Sequence, residues 1–295
     1  MGPHPFYIVD VFAEEKYAGN QLAVFRGASG LSGTDMQRFA KEMNYSETTF
    51  ILSETPYRGG YNVRIFTPQA EVPFAGHPTL GTAYVIQREI IQAPVETLTL
   101  NLQVGQIPVT LTYTGDTTDI LWMQQQPPSF GATLDYHRMA QALSLDEQAL
   151  DHAHPIQEVS TGLPFIIVPV KTLAAVKRAK IANDIYLQII HETTAKAMLI
   201  FCPEAETPDH DLHVRVFAEY LGVPEDPATG SANGCLAGYL VRYRYFDSAG
   251  IDVRVEQGYE IGRPSRLYLR AHETKAGIDV RVGGKVVMVA TGAFV

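Results

Sequence analysis

His77-Pro78-Thr79-Leu80-Gly81-Thr82-Ala83 and, further on, Asp226-Pro227-Ala228-Thr229-Gly230-Ser231-Ala232 decide how this chain is read. Each stretch sets a side chain that can handle protons before a proline and then runs into small, uncharged residues. Their offset is 149 residues (226 minus 77). A second pair, Val63-Arg64-Ile65-Phe66 and Val214-Arg215-Val216-Phe217, lies at an offset of 151 (215 minus 64). Two matches in the same order at nearly equal offsets point to a duplicated unit.

The two stretches open helices of unusual composition. No charged residue occurs over 227–241 or over 78–87. A surface helix carries a polar stripe, so helices without one are expected to be buried, with their glycines and alanines letting neighbouring strands come close. The first is expected to begin at Pro78, with His77 just outside it, and to end near Glu89. Around these helices the sequence alternates like β-structure. Strands are expected at 8–12 and 21–25, joined as a hairpin through Gly19-Asn20, then at 48–52 and 62–67. In the second half they are expected at 165–168, 197–202 and 213–218, ahead of the other buried helix. Further helices are expected over 32–44 and 181–193. The architecture is therefore α/β (α+β) with two pseudo-symmetric halves, each a curved, mostly antiparallel sheet wrapped around a central helix. The halves are placed at 1–120 and 121–285. A last strand, 286–295, is left open to join the first, and the charged stretch between the strand around Trp122 and Glu158, including 136–151, is expected as the passage between them.

Composition narrows the function. At about 150 residues per domain, 295 residues fit two domains. With 46% apolar and 19% charged residues, the chain is expected to fold compactly. A formal charge of -9 has the wrong sign for neutralising phosphates, so nucleic acid is not an expected partner. Apolar runs fall far short of the roughly 20 residues of a membrane span. Two cysteines, Cys202 and Cys235, build neither a disulfide framework nor a zinc motif. With no export or lipidation signal recognised at the N-terminus, a cytoplasmic location is expected. No cofactor is expected: 27–33 lacks the spacing of a dinucleotide fingerprint, and no Walker lysine follows a glycine-rich loop. His152, His154, His210 and His213 can bind metals, but their spacing matches no known ligand set, and no metal is expected.

The chemistry is expected at the helix starts. A helix N-terminus offers free amides and the positive end of a dipole, so Gly230 and Ser231 suit a carboxylate. His77 and Asp226 read either as proton-handling groups or as simple N-caps. Glu47, in Tyr45-Ser46-Glu47-Thr48-Thr49-Phe50, reads on its own as an exposed turn carboxylate or as a base. Ser231 lacks the G-x-S-x-G elbow of a hydrolase.

Several motifs together carry a resemblance. Gly-Asn-Gln-Leu-Ala-Val-Phe from Gly19, Tyr-Ser-Glu-Thr-Thr-Phe from Tyr45, Arg-Ile-Phe-Thr-Pro from Arg64, Pro-Phe-Ala-Gly-His-Pro-Thr-Leu-Gly-Thr-Ala from Pro73, Asp-Pro-Ala-Thr-Gly-Ser-Ala from Asp226 and Gln-Gly-Tyr-Glu-Ile-Gly-Arg-Pro-Ser from Gln257 resemble the PhzF-like isomerases of phenazine biosynthesis. The resemblance implies the fold of diaminopimelate epimerase, with the site between two similar halves. It implies Glu47 as the catalytic glutamate, with His77 and Asp226 as its catalytic companions. Ser231, Gly230 and Gly76 are implied to bind substrate. The implied reaction is a cofactor-free proton shift in a small carboxylic acid, like the isomerisation of dihydro-hydroxyanthranilate, and a homodimer is the expected assembly. Gln21 departs from the family, which usually has proline after Gly-Asn. An epimerase or racemase on the same fold and a non-catalytic ligand-binding protein are the alternatives. Diaminopimelate epimerases use paired cysteines, and here His77 and Asp226 occupy the helix starts while the cysteines lie elsewhere.

Overall fold

The computed structural model describes residues 2–295. The chain forms two compact units, one running up to Met123 and including Gly283–Val295, the other Gln124–Val282.

In the first unit, β1 (His4–Val11) and β2 (Asn20–Phe25) pair antiparallel. The chain enters β2 through Gly19 at φ +65°, where a Cβ would lie 2.3 Å from the Val11 carbonyl oxygen, so only glycine fits. Helix α1 (Gly33–Met43) starts in a capping box between Ser32 and Asp35 and ends on Asn44 in the left-handed conformation. Its Met36 and Ala40 pack into an aromatic core with Phe25, Phe50 and Phe66. Strand β3 (Thr48–Ile51) runs parallel to β2, and β4 (Tyr61–Phe66) is antiparallel to β3. The short β5 (Glu71–Val72) pairs back on β4 and leads into α2 (Gly76–Val85), which continues as a π-helical turn over Ile86–Ile91. Strand β6 (Thr97–Leu102) is parallel to β4, and β7 (Gly105–Thr114) and β8 (Thr117–Gln124) follow as an antiparallel meander.

Every residue of α2 from His77 to Val85 is buried, and strands β1, β2, β3, β6 and β7 all pack on it. This is the physical reason for its charge-free sequence. At Gly81 a Cβ would meet Leu22 Cδ2 at 2.6 Å and Val11 Cγ2 at 2.9 Å, so the glycine lets the sheet close on the helix.

The second unit begins with β9 (Ser129–Thr133) and α3 (Tyr136–Ala142). Strand β10 (Gln157–Ser160) is antiparallel to β9 and to β11 (Pro164–Pro169). Helices α4 (Leu173–Arg178) and α5 (Asn183–Glu192) lead to β12 (Met198–Cys202), parallel to β11. Strands β13 (Leu212–Ala218) and β14 (Val223–Asp226) then pair antiparallel, β13 also lying antiparallel to β12. After α6 (Gly230–Arg242) comes β15 (Gly250–Gln257), parallel to β13, with β16 (Ser265–Thr274) antiparallel to it and then β17 (Gly277–Gly284). The last strand, β18 (Val286–Phe294), pairs antiparallel with β1 in the first unit.

The order of pairings from β1 to β7 recurs from β10 to β16, and each series is interrupted at the same place by its buried helix. Residues Ala232 to Val241 of α6 are buried under β10, β11, β12, β15 and β16. The fold is thus α/β, with a curved and largely antiparallel sheet around one helix in each unit. Within the stretch expected between the strand around Trp122 and Glu158, the chain changes units at Met123–Gln124, and 136–151 lies beyond that point: Met139, Ala140, Leu143 and Leu150 lie in the second unit's core against Ile166, Val168 and Ile200. Among the described residues, no helix is long and apolar enough to cross a membrane.

Candidate active site

In the first unit the turn after α1 carries Glu47 into β3, while α2 carries His77. Thr49 of β3 and Thr82 of α2 share a buried hydrogen bond of 2.7 Å that pins the two elements together. As a result His77 Nε2 lies 3.5 Å from Glu47 Oε2, with side-chain exposures of 8% and 19%. Burial pushes the His77 pKa down to about 3, against a hydrogen bond with the Gln21 backbone that works the other way. The ring is therefore neutral near pH 7, and its approach to Glu47 is not an ion pair. His77 Nε2 is buried without a hydrogen-bond partner.

The helix start differs from expectation. Ala75 is the N-cap and offers no side-chain bond, Gly76 is the first helical residue, and His77 is the second. Pro78 thus falls at the third position, still within the first turn, where a missing N–H costs nothing. The amides of Gly76 and His77 have no intrahelical acceptor.

In the second unit, Asp226 is the last residue of β14 and not the head of α6; Thr229 is the N-cap, and Gly230 and Ser231 are the first two helical residues. Neither His77 nor Asp226 is an N-cap. The helix therefore starts at Gly230, three residues later than Pro227, where the repeat with His77-Pro78 placed it. The Thr229 hydroxyl donates to Asp226 Oδ2. Gln257, at the end of β15 and fully buried, donates from Nε2 to the Asp226 carbonyl at 2.7 Å and to Thr229 Oγ1 at 3.0 Å. Its Oε1 accepts from the Thr229 amide at 3.2 Å and from Asn233 Nδ2 at 2.9 Å. Neither Thr229 nor Gln257 was singled out from the sequence. The usable signal was an uncharged amide at the end of a β-prone stretch, immediately followed by a glycine.

The structure therefore brings Glu47, His77 and Gly76 together in one unit, and Asp226, Gly230 and Ser231 together in the other.

Several other reactive side chains are engaged locally. Burial pushes the thiols of Cys202 and Cys235 up to about 11, so both are protonated and unsuited to act as bases. His154 bonds Asp151 at 2.7 Å, and His152 stacks on Tyr136. Glu206, His213 and Glu260 bring potential metal-ligand atoms within 4.8 Å of one another. Those atoms already have partners. Glu206 pairs with Lys177 at 2.7 Å, and His213 is hydrogen bonded at Nδ1 to Glu256 (2.7 Å) and at Nε2 to Glu260 (2.9 Å). Burial alone would lower the His213 pKa, but the two carboxylates outweigh it and raise it to about 9. The cluster is a charge-compensated network.

Comparison with known proteins adds to this geometry. The family model described as "Phenazine biosynthesis-like protein" matches residues 9–292. A trans-2,3-dihydro-3-hydroxyanthranilate isomerase of Pseudomonas aeruginosa is 34% identical over 288 residues, covering 95% of this chain and 96% of the relative. A phenazine biosynthesis protein of the PhzF family from Bacillus anthracis matches in structure with a TM-score of 0.91 at 28% identity, over the full length of both chains. A hydroxyproline epimerase from Agrobacterium vitis shares the fold at a TM-score of 0.63 and 10% identity, covering 99% of this chain and 91% of the other.

Proposed function

Because the chain belongs to the family of phenazine biosynthesis-like proteins, we propose that it is a cofactor-independent isomerase of a small carboxylic acid, with Glu47 moving the proton. That it is an isomerase of PhzF type follows from its relatives. The observation that supports the finer reading is the carboxylate of Glu47 lying 3.5 Å from a histidine held neutral by burial.

A carbon next to a carboxylate or enamine loses its proton to Glu47, and the electron pair left behind spreads over the conjugated system. The same carboxyl then returns the proton to another carbon on the same face, and the double bond has moved. A neutral His77 suits this role because an imidazolium at 3.5 Å would stabilise the carboxylate and weaken it as a base. Its unpartnered Nε2 is available to a substrate amino or hydroxyl group. Asp226 and Ser231 are kept as substrate-holding or proton-assisting groups on the resemblance of their motif, with the first amides of the two helices, at Gly76 and Gly230, as carboxylate donors. No metal or nucleotide enters any step of this reading, which also retains a cytoplasmic homodimer.

The direct test is to dialyse the purified protein against a strong chelator and incubate it with trans-2,3-dihydro-3-hydroxyanthranilate, following the product by NMR. Isomerisation without additions is expected. Turnover that returns only with a divalent metal or a nicotinamide overturns cofactor independence. Inversion of a stereocentre without a bond shift replaces the isomerase with an epimerase.

A further inference from the structure

We infer that Gln257 and Thr229 form a two-step hydrogen-bond relay that orients the Asp226 carboxylate, making both of them positioning residues for the reaction. The inference rests on the functional reading above for the role of Asp226, but its geometry stands separately.

The Gln257 amide is fully engaged. All four of its hydrogen-bonding positions are used, and all four point at the segment entering α6: the Asp226 carbonyl, Thr229 Oγ1, the Thr229 amide and Asn233 Nδ2. A glutamate could not take its place, since Nε2 makes two donations. The consequence falls on Thr229. A hydroxyl has one proton, and because Thr229 Oγ1 accepts from Gln257, that proton is directed to Asp226 Oδ2.

What this arrangement gives up is informative. Threonine at an N-cap ordinarily satisfies a free amide of its own helix. Thr229 is the N-cap of α6, yet its side chain makes no such bond. A threonine kept only to stabilise the helix would be turned towards the helix amides. This one is turned away from them, to a carboxylate on the preceding strand.

Gly258 makes the approach feasible. At φ +80°, a Cβ there would lie 2.4 Å from the Arg263 carbonyl oxygen and 2.6 Å from that of Pro227. The Gln257-Gly258 pair therefore wraps the segment that follows Asp226, and the glycine is fixed by backbone contact on both sides. The first unit has no counterpart: the N-cap of α2 is Ala75, with no hydroxyl to relay.

The test reads the carboxyl group itself. Full-length protein labelled with 13C at the aspartate carboxyl carbon is titrated by NMR, the Asp226 signal being assigned by its loss in Asp226→Asn. In Thr229→Val the midpoint is expected to rise by about one pH unit, because a donor to the charged form is gone. Thr229→Ser, which keeps the hydroxyl, is expected to bring the midpoint back. Gln257→Glu, which removes the donor to Thr229, is expected to move it upward as well. In the isomerase assay, Thr229→Val is expected to lower kcat by about tenfold, with KM within about twofold of the wild type. If Thr229→Val does not fold, Thr229→Ala carries the same readout. An Asp226 midpoint that stays in place in Thr229→Val or Thr229→Ala while only thermal stability falls overturns the relay. Absence of turnover in the wild-type protein sinks the functional reading, whereas the titration still decides the relay.

Discussion

His77 and His213 are both buried, and they are opposites. His213 lies within 2.7 and 2.9 Å of two carboxylates and carries a proton well above neutral pH. His77 faces one carboxylate, at 3.5 Å, and burial keeps it neutral down to about pH 3. The difference lies in reach. Where carboxylates come within hydrogen-bonding distance, a histidine becomes a charged strut; where they stop short, burial wins and a ring nitrogen is left over. Around His213, the Glu256 carboxylate also accepts from His210 and from the amides of Glu206 and Thr207, and these bonds overcome its burial to hold its pKa well below the usual carboxylate range. Saturated polar groups of this kind hold a fold together. A buried histidine nitrogen without a partner, as at His77, calls for another explanation, and in the proposed reading that is a substrate group.

The largest effect should come from breaking the strut. His213→Leu leaves Glu256 and Glu260 without their shared cation and should cost about 3–5 kcal/mol in urea unfolding. A variant as stable as the wild type would show that the network does not hold the second unit, and the contrast with His77 would collapse. Next, Glu47→Gln keeps the volume and removes the base. It should fold with a near-wild-type melting temperature and lose at least ~100-fold in turnover, equivalent to about 2.7 kcal/mol. Near-wild-type turnover removes Glu47 from the mechanism.

A smaller and more discriminating effect is the pH dependence of stability. The folded-state pKa of His77 lies below the unfolded value, so its contribution is present above about pH 6.5 and is lost as pH falls towards 3. That of His213 lies above the unfolded value, so its contribution is present below about pH 6.5 and is lost as pH rises through 9. Each contributes at most about 1.4 kcal/mol per pH unit. Urea midpoints measured between pH 5 and pH 9 should therefore lose part of their acid-side slope in His77→Asn and part of their alkaline-side slope in His213→Asn. Unchanged slopes in both variants would mean that the two rings titrate alike.

Much of this was legible in the sequence. The absence of charge over 78–87 and 227–241 was enough to bury both helices, and the apolar spacing over 32–44 was enough to place α1. Glu47 and His77 were singled out as candidates on the motifs that carry them, and the structure sets the two side chains 3.5 Å apart. The exact helix starts were not legible. Whether Pro78 or Gly76 opens α2, and whether Asp226 or Thr229 caps α6, depends on where β5 and β14 release the chain, and strand pairing is a long-range property. For the same reason the relay through Gln257 was hidden: the residue lies 31 positions beyond Asp226 and meets it only because β15 returns beside β13. Within the stretch expected as the passage, the exact changeover at Met123–Gln124 was not legible, because charge content alone does not reveal which residues of 136–151 are buried.

The central claim is that one carboxyl group, Glu47, both takes the proton and gives it back. The measurement that tests it most directly uses substrate carrying deuterium at the carbon to be deprotonated, turned over in ordinary water, with NMR locating the isotope and chiral analysis reporting configuration. We predict a relocated double bond, with part of the deuterium retained at the receiving carbon and delivered to the same face. An inverted stereocentre bearing only solvent hydrogen, with no shift of the double bond, would contradict the account and assign the chemistry to two bases on opposite faces.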